Sequence, residues 1–159
     1  GRCHRAGARM GAGGGSAVKF WDASAIVPLV TAQSASPQVR ELADDPGKMV
    51  VWWGTIVECQ SGLARLRLEG KLSMEAENEA RTELTRLSER WTEIEPVESV
   101  RLTACALVRR HPLRAGDALQ LAAAIHWAGD AVVGRPFLTI DRRLYRAASL
   151  EGFAVLPRG

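Results

Sequence analysis

Four carboxylates lie in four local sequences that share one grammar: an apolar run, an acid, and a helix start close by. They are Asp22 in VKFWDASAIV, Glu58 in VVWWGTIVEC, Asp117 in LRAGDALQLAAA and Asp141 in PFLTIDRRLYRAA. A parallel sheet that gathers its strand ends along one edge would bring them into one small volume. There they cannot all stay ionised unaided, because two unit charges ~4 Å apart repel by about 4 kcal/mol at an effective dielectric of roughly 20. A hard divalent cation removes that cost. Carboxylate oxygens suit Mg²⁺ or Mn²⁺ rather than zinc.

Taken singly, each acid also has a local structural use. Thr55-Ile-Val-Glu58 fits a capping box, with Glu58 reaching back to the cap amide. Asp117 in a first helical turn complements the helix dipole. Asp22 and Asp141 each precede a helix and suit its N-cap. What sets the four apart is their setting. Glu75, Glu77, Glu79, Glu83 and Glu89 crowd one polar helix, where charge is expected to be solvated. The other four adjoin long apolar runs, where an acid is costly unless satisfied.

The elements that must position these acids alternate. Strands are expected at Val18 to Trp21, Met49 to Trp53, Trp91 to Ile94, Phe137 to Ile140 and Phe153 to Leu156. Between them the apolar spacing predicts helices at Ser24 to Thr31, Pro37 to Asp44, Thr55 to Glu69 and Ser73 to Arg90. Further helices are expected from Val97 to before Pro112, from Ala115 to Ala128 and from Arg142 to Leu150. Residues 115–128 are apolar almost all round, as in a helix buried centrally. Such alternation predicts an α/β fold, three layers (α/β/α) around a mostly parallel sheet. Ligands of these sheets bind beyond the carboxyl ends of the strands. Asp22 and Asp141 fall at strand ends, and Glu58 and Asp117 in first helical turns.

Composition narrows the class. The 159 residues suit one domain, with 47% hydrophobic and 25% charged content. The longest apolar stretch is too short to span a bilayer, so no membrane association is expected. Residues 1–17 are rich in Gly, Ala and Arg without an apolar signal core. They are expected to be a disordered leader or an expression remnant, with the folded domain at 18–159. The net charge of +3 belongs to that leader. Of 21 Lys and Arg, three lie there without an acid, leaving 18 against 18 Asp and Glu. Any nucleic-acid affinity must come from local basic patches and bound metal. Cys3, Cys59 and Cys105 show no CxxC pair and no metal spacing with His4, His111 or His126. Cys59 and Cys105 are expected as buried, reduced thiols in a cytoplasmic protein.

In order and spacing, FWDASAIVPL, TIVECQSGLARL, LRAGDALQLAAAI and FLTIDRRLYRAA resemble the PIN-domain ribonucleases, specifically the VapC-type toxins of bacterial toxin–antitoxin pairs. The resemblance covers residues 18–157; GDALQLAAA and LTIDRRL are its most specific parts. It matches the family's four acids to Asp22, Glu58, Asp117 and Asp141. Ser24 matches a hydroxyl residue supporting the first acid, and Thr139 the threonine before the last. Ala23 departs from the family, which often has Thr or Ser there. The resemblance implies a PIN-like fold, Mg²⁺ or Mn²⁺ as cofactor, RNA as substrate, homodimerisation, and inhibition by a small cognate antitoxin.

On that basis Asp22, Asp117 and Asp141 are expected as metal contacts, with Glu58 holding a second ion or orienting the attacking water. Arg114, Arg142 and Arg143 are candidate substrate contacts, with Arg109, Arg110 and Arg146 nearby; phosphate contacts give position, not sequence specificity. Trp52 and Trp53 point to opposite faces of a strand, so at most one is free to stack on a base, and Trp52 is expected in the core. An antitoxin segment is expected over the early helices. The alternatives are a housekeeping PIN-domain RNA-processing nuclease without an antitoxin, an inactive binding module of the same fold, and a receiver-like phospho-acceptor domain. The last requires paired acids after the first strand, where only Asp22 stands.

Overall fold

The computed structural model describes residues 17–31 and 37–158; of the leader expected at residues 1–17, all but Ala17 lies outside them. Among the described residues are five strands and seven α-helices. The strands are β1 (Lys19–Trp21), β2 (Met49–Trp52), β3 (Thr92–Ile94), β4 (Pro136–Leu138) and β5 (Ala154–Leu156). The helices are α1 (Ala23–Val30), α2 (Pro37–Leu42), α3 (Thr55–Leu68), α4 (Met74–Ser88), α5 (Glu98–Arg110), α6 (Ala115–Ala128) and α7 (Arg142–Glu151). Every pairing in the sheet is parallel, in the order β3-β2-β1-β4-β5. The expected three-layer α/β arrangement is observed, in an all-parallel form.

Strand alternation divides the core in two. Phe20, Val50, Trp52 and Phe137 face α5, α6 and α7, with the Phe20 and Phe137 rings stacked at 5.3 Å. Trp21, Met49, Val51 and Leu138 face α1 through α4. The first face packs on α6, whose Leu121, Ala122, Ala123 and Ala124 are fully buried. β3 is an edge strand, and its Thr92 and Glu93 are exposed.

The order of the strands places the site. β1 lies between β2 and β4, so the loops that follow β1 and β4 are neighbours. The Asp22 amide donates to the Leu138 carbonyl at 2.9 Å, carrying the ladder to the last strand residue before the acid. On the α1–α4 face, α1 lies close over α3 at Gly62, where a Cβ would stand 3.1 Å from Val27 Cγ2. Gly62→Val is expected to push α1 away from α3, lowering stability by about 1–3 kcal/mol through overpacking. Chemical denaturation checks this, and an unchanged midpoint would show that the two helices have slack.

Two expectations are corrected here. Cys105 is exposed, because it lies beside the stripe Val100, Ala104 and Leu107 rather than on it; Cys59 is buried as expected. Glu77 is not solvated. Its carboxylate is clasped between Arg67 of α3 and Arg81 of α4, with the side chain 7% exposed, and both guanidiniums hold it below the usual carboxylate range. Trp52 is buried and Trp53 exposed, as strand geometry requires.

Candidate active site

Each acid reaches the same opening from a different element. Asp22 follows β1 and caps α1, accepting from the Ser24 amide at 3.2 Å. Glu58 stands in the first turn of α3 and Asp117 in the first turn of α6. Asp141 follows β4 and caps α7, accepting from the Leu144 amide at 2.8 Å. All four line one cavity of about 1050 Å³ over the carboxyl ends of β1 and β4, which continues along the groove between α1 and α3.

The hydroxyls anticipated beside the acids are in place. The Ser24 hydroxyl donates to Asp22 Oδ2, and the Thr139 hydroxyl donates to the same oxygen at 3.0 Å. In turn Ser24 Oγ accepts from the Ile140 amide at 3.0 Å, and Thr139 Oγ1 from the Asp141 amide at 3.1 Å. These four bonds fasten the loop of the first acid to the loop of the last. With two hydroxyl donors on Asp22 Oδ2, alanine at position 23 leaves the carboxyl well held.

A residue with no expected role completes the set. Gln120, fully buried on α6, donates from Nε2 to Glu58 Oε2 at 3.1 Å and to Thr55 Oγ1 at 3.1 Å. The Thr55 hydroxyl is thereby engaged with α6, and the helix N-cap is Gly54 with no side-chain bond, so the anticipated Thr55–Glu58 capping box does not form. The only sequence signal for Gln120 was a lone amide in an apolar helix, three residues after Asp117. Gln120→Leu keeps the volume and removes the donor. It is expected to reduce activity about 10–100-fold, the usual effect of losing a partner that orients a ligand. Kinetics beside a melting curve check this, since a folded but fully active variant would refute it.

One feature of the bonding bears on ligand capacity. Asp22, Glu58 and Asp141 each commit one oxygen to the scaffold, namely Oδ2, Oε2 and Oδ1. The second oxygen of each forms no hydrogen bond among the described residues and lies on a carboxyl lining the cavity. Electrostatics tell the same story. Burial, opposed by hydrogen bonds from Ser24 and Thr139, pushes Asp22 up to about 6. Burial and the charges of Asp22 and Asp117 push Glu58 to about 7, against the Gln120 bond. Burial and Asp141 raise Asp117, while Arg114 and Arg143 oppose the rise. Burial is the main cause of all three shifts, and the charges of neighbouring acids add to it.

Among the described residues no group of three or more acids, histidines or cysteines stands in an arrangement that would hold a metal ion as it is. The donors are nonetheless of the kind a hard cation takes: all are carboxylate oxygens on the wall of one cavity, and three of the four carboxyls are anchored through one oxygen with the other unbonded. Sulfur and imidazole chemistry is not built here. The Cys59 thiol is fully buried, and burial near Asp22 and Glu58 raises its pKa, keeping it neutral.

Of the expected basic contacts, Arg114 and Arg143 line the cavity, joined by Arg65 and Lys71, which had not been anticipated. Arg65 lies two helical turns beyond Glu58 on α3, a spacing that could have shown it. Arg142 is not in this cavity. One residue is about 100° on a helix, so Arg142 turns away from Arg143 and lines a separate depression with Arg146. Arg110 pairs with Glu151 at 2.9 Å rather than facing the acids.

The family model described as PIN domain matches residues 19–150. Ribonuclease VapC45 of Mycobacterium tuberculosis (strain CDC 1551 / Oshkosh) is 33% identical over 150 residues, covering 87% of this chain and 94% of that protein. Among solved structures, FitAcB from Neisseria gonorrhoeae superposes with a TM-score of 0.59 at 19% identity, covering 87% of this chain and 96% of that one. A toxin-antitoxin complex from Klebsiella pneumoniae gives a TM-score of 0.58 at 14% identity, covering 86% and 95%. These two likenesses concern the fold.

Proposed function

The chain belongs to the PIN-domain family, and on that premise we propose that it is a divalent-metal-dependent endoribonuclease acting as the toxin of a toxin–antitoxin pair. The observation that carries this is the set of four carboxyls turned into one cavity, three of them with a spare oxygen. Asp22, Asp117 and Asp141 would hold Mg²⁺ or Mn²⁺, with Glu58 holding a second ion or meeting the attacking water. When bound, the ion lowers the pKa of a water and neutralises charge on the phosphodiester.

The remaining steps belong to the chain. Glu58, pushed by burial to about 7, changes protonation near neutral pH and suits the uptake of a proton from water. Gln120 keeps that carboxyl in place through Oε2. Ser24 and Thr139 fix Asp22 and, through the Ile140 and Asp141 amides, the loop of Asp141. Arg114 and Arg143 on the cavity wall would position the scissile phosphate.

The distinguishing experiment is incubation with total RNA, with and without Mg²⁺, followed by mapping of the product ends. The expected result is cutting only with the metal, leaving 5′-phosphates and 3′-hydroxyls. Products ending in 2′,3′-cyclic phosphate would exclude water attack and with it the proposed roles of all four acids.

A VapC ribonuclease among the relatives and a toxin-antitoxin complex among the structural neighbours support a partner of the same kind for this chain. We place an antitoxin segment along the groove between α1 and α3, where Val27, Pro28 and Leu66 continue the cavity wall away from the acids. There it would deliver a basic side chain to the carboxyls. Among the described residues no helix is long and apolar enough to cross a membrane; we assign the chain to the cytoplasm, as a homodimer. Growth arrest on expression, relieved by a neighbouring gene's product, would separate a toxin from an RNA-processing nuclease.

A further inference from the structure

Three arginines open α7, at positions 142, 143 and 146, and helix electrostatics oppose them. The N-terminal turn carries the positive end of the helix dipole, yet after the capping Asp141 it holds Arg142 and Arg143 and no acid. Arg142 and Arg146 are also neighbours at i and i+4, where like charges repel. Neither has a carboxylate within ion-pairing distance among the described residues. By contrast Arg67, Arg81, Arg86, Arg90, Arg101 and Arg110 each face an acid. Arg142 and Arg146 stand without that relief.

These two arginines rim a depression of about 690 Å³ beyond the ends of β4 and β5, with Tyr145 and Pro157 in its wall. Ile140, 53% exposed, and Asp141 belong to this wall and also to that of the acid cavity. The two openings therefore share one ridge. A guanidinium pair beside an aromatic ring and a proline matches the two parts of an unpaired nucleotide: phosphate on the cations, base face on the apolar wall.

We propose that this depression is a nucleotide subsite, in which the nucleotide flanking the scissile bond of a single-stranded RNA is held by Arg142, Arg146 and Tyr145. It rests on the ribonuclease reading of the acid cavity and extends it. The substrate crosses the Ile140–Asp141 ridge, so strands free of base pairing are required on that side. The second basic cluster thereby measures substrate length, while Arg114 and Arg143 serve the bond that breaks.

The test is a series of synthetic RNA oligonucleotides lengthened one nucleotide at a time on either side of a mapped cleavage position. Extension on one side is expected to lower KM about tenfold, within the range set by stacking one base on an aromatic ring. Arg142→Ala/Arg146→Ala should remove that advantage, raising KM for the longer RNA with kcat little changed. Arg86→Ala/Arg101→Ala, an equal loss of charge elsewhere, should keep it. A length advantage that survives in the Arg142/Arg146 variant overturns the subsite while leaving the nuclease standing. Intact length dependence with lost antitoxin inhibition would assign the depression to the protein partner and equally overturn it. Failure of the wild type to cut any of the RNAs with Mg²⁺ or Mn²⁺ removes both readings together.

Discussion

Asp117→Asn is expected to lower RNA cleavage by about a hundredfold or more while the metal-free protein melts at the same temperature or higher. The two halves of this outcome have one cause. Asp117 is half-buried in the first turn of α6, and burial together with Asp141 raises its pKa. Its charge is therefore a cost to the empty fold, partly relieved by Arg114 and Arg143. An amide of the same shape removes that cost and keeps the volume. The same change removes a hard oxygen ligand, and since altering residues that merely orient ligands costs roughly 10–100-fold, a ligand itself should cost more. Single-turnover cleavage and a melting curve in chelator are the measurements. A variant that loses activity because it has lost stability would show that Asp117 supports the helix rather than the chemistry.

Without metal the protein is expected to be less stable at about pH 8 than at about pH 5, and Mg²⁺ to cancel much of the difference. The sign follows from the direction of the shifts. Asp22 is raised from 3.8 to about 6 and Glu58 from 4.5 to about 7. Between those limits the unfolded chain has released these protons and the native state still holds them. Stability is then fully present below the unfolded values and falls as pH rises through the native ones. At ~1.4 kcal/mol per unit, the part of the Asp22 shift that lies above pH 5, roughly one unit, corresponds to a loss on the order of 1 kcal/mol between the two pH values. Glu77 and Glu151 act with the opposite sign, but their pKa values are lowered, so their effect ends below about pH 4.5. A cation that binds only the ionised native site restores stability by mass action. Thermal melts across pH, in chelator and in excess Mg²⁺, check this. A profile that rises toward pH 8 in chelator would contradict the crowded-carboxylate picture.

Much of the site could be read in one dimension because its parts are local. Asp22 and Asp141 end apolar strands and cap the following helices, so both position and neighbour are visible nearby. The shared opening followed from the expected parallel sheet, which gathers its strand ends along one edge; the strand order that sets β1 beside β4 was not legible. What escaped were relations between distant elements. Gln120 carries no mark of its purpose until Glu58, on another helix, is brought to 3.1 Å. Thr55 satisfied a local capping pattern, yet Gln120 offered a bond in the interior, and the tertiary partner won. Glu77 looked solvated among the acids of α4, because Arg67 comes from α3. Arg142 and Arg143 are adjacent letters, but the helix sends them to different openings. Charge is legible along a chain; the face it occupies depends on what packs beneath.

The most direct measurement is calorimetric titration of Mn²⁺ into the metal-free protein near neutral pH, for the wild type and for Asp117→Asn. Ion binding by carboxylates that gather at one opening predicts saturable heat for the wild type, with protons released as Glu58 ionises, and its loss in the variant. Identical heats from the two proteins, or none from the wild type, would contradict the claim that these four acids act together on a cation.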